Sequence, residues 1–179
     1  MKKIMIVDDN YLSAEGIEKN IDWETLNAEI IHVCYNGTSA IEAMKKEPAD
    51  LIISDIEMPD LDGISMSRQA LEINPMVKII LISAYDKFEY ARRALLLGAL
   101  DYIEKPLDYA YLIQKVKNAF ALMEKEQKNL QLLKQSRPLL TEKFFREITH
   151  LPSSEAAYRL NPYLCLLYTS DAADDSLRV

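Results

Sequence analysis

The 179-residue chain has only two cysteines, Cys34 and Cys165, far apart and in unrelated contexts, which excludes a disulfide framework and a cysteine-based zinc site. Its two histidines, His32 and His150, have no partner at metal-ligand spacing and read as structural or exposed. No stretch approaches the roughly 18 uninterrupted apolar residues that a membrane span requires. The start, MKKIMIVDDN, follows two lysines with a short apolar run and two acids, which fits neither a signal peptide nor an anchor. The expectation is a cytoplasmic protein with no membrane partner.

Positive charge is also in deficit. Against 28 acidic residues stand 21 basic ones, a net charge of −7. Residues 1–121 hold 20 acids and 13 bases, whereas residues 122–179 hold eight of each, so the imbalance lies wholly in the first part. An acidic surface attracts cations and repels nucleic-acid phosphates, which argues against direct DNA binding by this part. With 49% apolar residues the composition is globular, enough for one or at most two domains.

Over the first 121 residues, short apolar runs alternate five times with amphipathic stretches, the pattern of an α/β fold with helices on both faces of a parallel sheet. Strands are expected at Ile4–Val7, Ile30–Cys34, Leu51–Ser54, Lys78–Ser83 and Asp101–Glu104. The third and fourth are nearly unbroken apolar, as strands covered on both faces should be. Helices are expected at Leu12–Ile21, Ser39–Lys46, Ile64–Ile73, Phe88–Leu97 and from Tyr109 onward, with Pro48, Asn74-Pro75 and Gly98 as stops.

Open α/β sheets bind ligands beyond the carboxyl ends of their strands. There the chain places Asp8-Asp9 after the first strand, Asp55-Ile56-Glu57 after the third, Ser83 after the fourth and Tyr102 to Pro106 around the fifth. If the first and third strands are neighbours, three carboxylates meet in one crevice, and they stay ionised together only if a cation holds them. A small hard ion that keeps part of its water shell, magnesium, suits such oxygen-only ligands.

These residues, in this order, carry a resemblance. Residues 2–121 resemble the receiver domain of bacterial two-component response regulators, with Met58 to Gly63 reading MPDLDG in the loop that follows the family's phosphoacceptor. The resemblance implies a flavodoxin-like five-stranded sheet in the order 2-1-3-4-5 with five helices. It implies that Asp55 accepts a phosphoryl group from a sensor histidine kinase, and that Mg2+ is held by Asp8, Asp9, Asp55 and the Glu57 backbone carbonyl. Lys105 would neutralise charge, Ser83 and Tyr102 would be the switch pair, and a cis peptide would precede Pro106. Such a chain is no enzyme beyond catalysing its own phosphoryl transfer and dephosphorylation. Asn10 stands where many receivers have a third acid, which would adjust metal affinity, and Ser83 replaces the commoner threonine. Met66, Met76 and Tyr85 read as packing or switch-surface residues.

The runs EGIEKNIDWETLNAEI and SAYDKFEYARRALLLGALDYIEKPLD resemble receivers whose output is an AraC-type helix-turn-helix pair. The parent would then be a transcription regulator that reaches DNA only through a C-terminal domain. Two rival readings are a stand-alone receiver shuttling phosphoryl groups in a phosphorelay and a magnesium-dependent aspartyl phosphohydrolase. The latter would carry its nucleophile on the first strand and read Asp-x-Asp there.

Leu112, Val116, Ala119, Met123, Leu130 and Leu133 follow heptad steps, broken at Glu126, and no Gly or Pro intervenes between Pro106 and Pro138. One helix of up to about 28 residues is expected, along which two copies could pair between residues 108 and 135. The strand 4/5 face is the other expected homodimer surface. The expected divisions are a receiver at 2–121, a linker helix at 122–137, the start of a further domain at 138–164 with Leu140, Phe144, Phe145 and Ile148 on one side, and a tail at 165–179. The tail run CLLYTSDAADD reads as translated sequencing adapter without evolved chemistry.

Overall fold

The computed structural model describes residues 1–84 and 99–148, with side chains through Lys134. Two compact units divide the chain, Met1–Lys125 and Glu126–Val179. The first holds the sheet. Its elements are β1 (Lys2–Val7), α1 (Tyr11–Asn20), β2 (Ala28–Cys34), α2 (Gly37–Lys46), β3 (Leu51–Asp55), α3 (Gly63–Ile73), β4 (Lys78–Ser83) and β5 (Asp101–Glu104); α4 (Tyr109–Ile148) follows and crosses the division. All neighbouring strands pair in parallel, in the order β2-β1-β3-β4-β5. This is the fold expected above. The helix expected at Phe88–Leu97 and the residues from Thr149 onward lie outside the described residues.

Each described helix begins at an Asn or Asp that satisfies its first amides. Asn10 Oδ1 accepts from Leu12 N at 3.0 Å, Asn36 Oδ1 from Ser39 N at 2.8 Å, Asp62 Oδ1 from Ser65 N at 2.8 Å and Asp108 Oδ1 from Ala110 N at 2.8 Å. The first three helices start one or two residues earlier than hydropathy suggests, because the period marks the first core-facing residue and the cap precedes it.

Strand alternation divides the core into two layers. Met5, Val7, Ile52, Ile79 and Leu81 pack with Met44, Met66 and Ala70 of α2 and α3. Ile4, Ile6, Ile53, Ile80 and Ile82 pack with Ile17 of α1 and with Leu112 and Val116 of α4.

Helix α4 departs from the expectation in two ways. Leu112, Val116 and Ala119 are 0% exposed and Met123 is 9% exposed, all within the core of their own unit. The first half of the heptad line therefore faces this chain's own sheet and offers no seam to a second copy. Leu130 and Leu133, at 47% and 67% exposure, are what remains of it. The helix also continues through Pro138 to Ile148, where the linker helix was expected to end at residue 137. A proline forfeits one backbone hydrogen bond and crowds the preceding turn. Strong helix formers (Gln, Leu, Lys, Arg, Glu) dominate on both sides and the helical backbone persists.

The burial pattern predicts that Leu112→Ala lowers unfolding free energy in urea by about 3 kcal/mol, whereas Leu133→Ala in dilute solution changes it by less than about 0.5 kcal/mol.

Candidate functional site

Strands β1 and β3 are neighbours with Val7 opposite Ser54, so the residues that follow, Asp8 and Asp55, emerge side by side at the carboxyl edge of the sheet. Oxygens of Asp8, Asp9 and Asp55 all lie within 4.8 Å of one another. Asp8 and Asp55 are only 1% and 6% exposed, while Asp9 faces solvent. From just beyond the end of β5, Lys105 reaches across the crevice. Its Nζ lies 2.6 Å from Asp55 Oδ2 and 3.1 Å from Asp8 Oδ2, bridging the two buried carboxylates.

The other oxygen of each carboxylate is held by backbone. Asn10 N donates to Asp8 Oδ1 at 2.9 Å, and Glu57 N donates to Asp55 Oδ1 at 3.1 Å. Both side chains are thereby oriented at both ends, by the shared Lys105 ammonium and by one backbone amide each.

Burial pushes the Asp8 carboxyl above the usual range, against the opposing pull of the Asn10 amide and the Lys105 ammonium, and the nearby Asp55 charge adds to the rise. For Lys105, burial works to lower the pKa, but the hydrogen bond and charge of Asp55, then those of Asp8, outweigh it and hold the ammonium above its ordinary value. The lysine is firmly charged. Of the three clustered carboxylates, Asp8 and Asp55 are buried and Asp9 faces solvent.

The remaining expected residues are close by. Ser83, 0% exposed, ends β4 next to Ile82, which pairs with Asp55, and its carbonyl accepts from Lys105 N at 2.8 Å. Tyr102 is half-buried on β5 opposite Leu81. The Lys105-Pro106 peptide is cis. Asn10, compared above with a third acid, caps α1. Met66 is buried in the core and Met76 is 49% exposed; Tyr85 and His150 lie outside the described residues. His32 Nε2 sits 3.1 Å from the Glu47 carbonyl oxygen, in a structural contact.

Two residues at the site escaped the sequence reading. Ser54 donates from Oγ to the Asp55 carbonyl at 2.8 Å, and Gly63 packs its Cα against the same carbonyl. Only the glycine left a signal, as the last residue of MPDLDG.

An all-oxygen donor set, with two buried carboxylates and one open to water, fits a small hard divalent cation that retains part of its hydration shell.

The response regulator receiver domain model matches residues 4–117. Among curated relatives, the uncharacterized transcriptional regulatory protein YesN of Bacillus subtilis is 29% identical over 126 residues, which is 70% of this chain and 34% of that protein. Among solved structures, the receiver domain of AraT, a response regulator from Geobacillus stearothermophilus, is 34% identical with a TM-score of 0.67, over 70% of this chain and 98% of that one. A two component transcriptional regulator AraC from Clostridium phytofermentans is 30% identical with a TM-score of 0.64, over 72% and 99%. A CheX-CheY-BeF3-Mg2+ complex from Borrelia burgdorferi is 29% identical with a TM-score of 0.61, over 66% and 89%. The chain spans about a third of the length of YesN.

The electrostatics yield a pH prediction. With a raised folded pKa, ionised Asp8 costs stability above that pKa, and the cost fades as pH falls through it toward the unfolded value near 4. In a chelating buffer, Asp8→Asn should raise the melting temperature at pH 7, with the gain shrinking on acidification. A mutant that melts lower at pH 7 would contradict this.

Proposed function

The chain belongs to the response regulator receiver domain family of two-component signalling, and on that premise we propose that it accepts a phosphoryl group on Asp55 from the phosphohistidine of a sensor kinase. The observation that carries this reading is the Lys105 ammonium bridging buried Asp55 and Asp8 at the carboxyl edge of the sheet.

A carboxylate oxygen of Asp55 attacks phosphorus in line, the P–O bond forms as the P–N bond of the phosphohistidine breaks, and the imidazole nitrogen leaves with the bonding pair. The product is an acyl phosphate. Such transfer asks little covalent help of the protein, so positioning and charge neutralisation supply most of the acceleration. The Glu57 amide holds Asp55 Oδ1 and so fixes the carboxylate's rotation. Lys105 exchanges part of its pairing with Asp55 for the incoming phosphoryl oxygens. Asp8, Asp9, Asp55 and the Glu57 carbonyl would hold Mg2+, which supplies positive charge to the equatorial oxygens when bound.

Ser83 at the end of β4 would donate its hydroxyl to a phosphoryl oxygen, with Tyr102 of β5 moving into the space so vacated. That pair converts charge at Asp55 into a change of the β4/β5 surface. Control of transcription through a DNA-binding region is the output we assign to the parent protein, by likeness to relatives named as transcriptional regulators. No helix among the described residues is long and apolar enough to cross a membrane; a cytoplasmic location completes the reading.

Incubation with magnesium and acetyl phosphate, followed by intact mass and peptide mapping, should place one phosphate on Asp55 and none in Asp55→Asn. Phosphate on Asp8 instead would point to a phosphohydrolase with its nucleophile after the first strand.

A further inference from the structure

The backbone of Asp55 is gripped from two sides. Ser54, 0% exposed, donates its hydroxyl to the Asp55 carbonyl oxygen at 2.8 Å. Against the same carbonyl stands Gly63, where an added Cβ would come within 2.0 Å of the Asp55 oxygen and 3.0 Å of Ile56 Cα. Gly63 N in turn donates to the Ile56 carbonyl at 2.9 Å, and Ser67, also 0% exposed, donates from Oγ to the Gly63 carbonyl at 2.6 Å. The first turn of α3 is thus fastened onto the last peptide of β3.

That peptide plane governs the carboxylate. Turning the Asp55 carbonyl changes ψ of Asp55 and carries with it the chain leading to Glu57, whose amide holds Asp55 Oδ1 at 3.1 Å. The N–H of the same peptide donates to the Ile82 carbonyl at 2.9 Å, so Ser54 supplies the restraint at the oxygen end, and releasing that end loosens both the carboxylate and the amide that orients it. A fully buried hydroxyl is also out of keeping with its surroundings unless it is hydrogen-bonded, and this bond satisfies it. Gly63 closes the other side, since no residue with a Cβ can approach so near.

We propose that Ser54 is a positioning residue for Asp55, its hydroxyl locking the Asp55 carbonyl against Gly63 so that the carboxylate is aimed before any phosphodonor arrives. The inference deepens the phosphoacceptor reading and rests on it for its kinetic consequence, while its geometric content is independent.

The test compares Ser54→Thr with Ser54→Val, which have the same shape and differ by a hydroxyl against a methyl. Ser54→Ala, which adds no bulk, is the companion if the larger side chains are not accepted. In metal-free protein, the Glu57 amide resonance should stay near its wild-type position in Ser54→Thr and move in Ser54→Val and Ser54→Ala. At saturating magnesium and acetyl phosphate, the rate of acyl phosphate formation should be kept in Ser54→Thr and fall by about ten- to a hundred-fold in the other two. A Glu57 resonance indifferent to the hydroxyl overturns the proposal, as does an unchanged rate beside a lowered melting temperature, which would make Ser54 structural only. Wild-type protein that takes no phosphate would overturn the phosphoacceptor reading, and the Glu57 comparison would still decide the role of Ser54.

Discussion

Two carboxylates buried side by side repel each other, and neither burial nor the sheet edge supplies the compensating charge. Lys105 does. Its ammonium meets Asp55 Oδ2 and Asp8 Oδ2 from a third strand, so the acidic crevice depends on β1, β3 and β5 being brought together. Removing Lys105 would strand both carboxylates in poorly solvated surroundings, which ties the three side chains into one electrostatic unit. The balance is unequal: burial wins at Asp8 and raises its pKa, while pairing wins at Lys105 and keeps it charged. A site with a strained acid beside a firm cation is poised to welcome further positive charge or to release its lysine to an anion.

The precision of that site comes from ordinary backbone devices. Strand ends deliver Asp8, Asp55 and Ser83 to one edge, and amides two residues downstream hold Asp8 Oδ1 and Asp55 Oδ1. Helix α3 presses against the Asp55 carbonyl because Gly63 has no side chain to prevent it. None of these contacts is chemically unusual. Their convergence on one carboxylate is what gives Asp55 a defined direction, consistent with a reaction that needs alignment more than covalent help.

Helix α4 shows where a sequence pattern can mean two things. The heptad spacing of Leu112, Val116, Ala119 and Met123 suits a partner helix and suits the chain's own sheet equally well, since both ask only for one apolar stripe. Ile53, Ile80 and Ile82 occupy the same core cluster, and the stripe is used there. Pro138 misled in another way: helix formers on both sides outweighed a residue that usually ends helices.

The residues by themselves determined the α/β class, the five strands to within about two residues, and the candidates Asp8, Asp9, Asp55, Ser83, Tyr102 and Lys105, because alternation and strand-end chemistry are local properties. Strand order came with the family resemblance and not from spacing. Only the tertiary structure decided which carboxylates are buried, that burial raises the pKa of Asp8, that Lys105 bridges Asp8 and Asp55, and that Ser54 and Gly63 meet the Asp55 carbonyl. Lys105 is separated from Asp8 by 97 residues and from Asp55 by 50, and a seryl hydroxyl has many partners open to it. Such choices depend on distances between distant segments and on the exclusion of water, which exist only once the chain has packed.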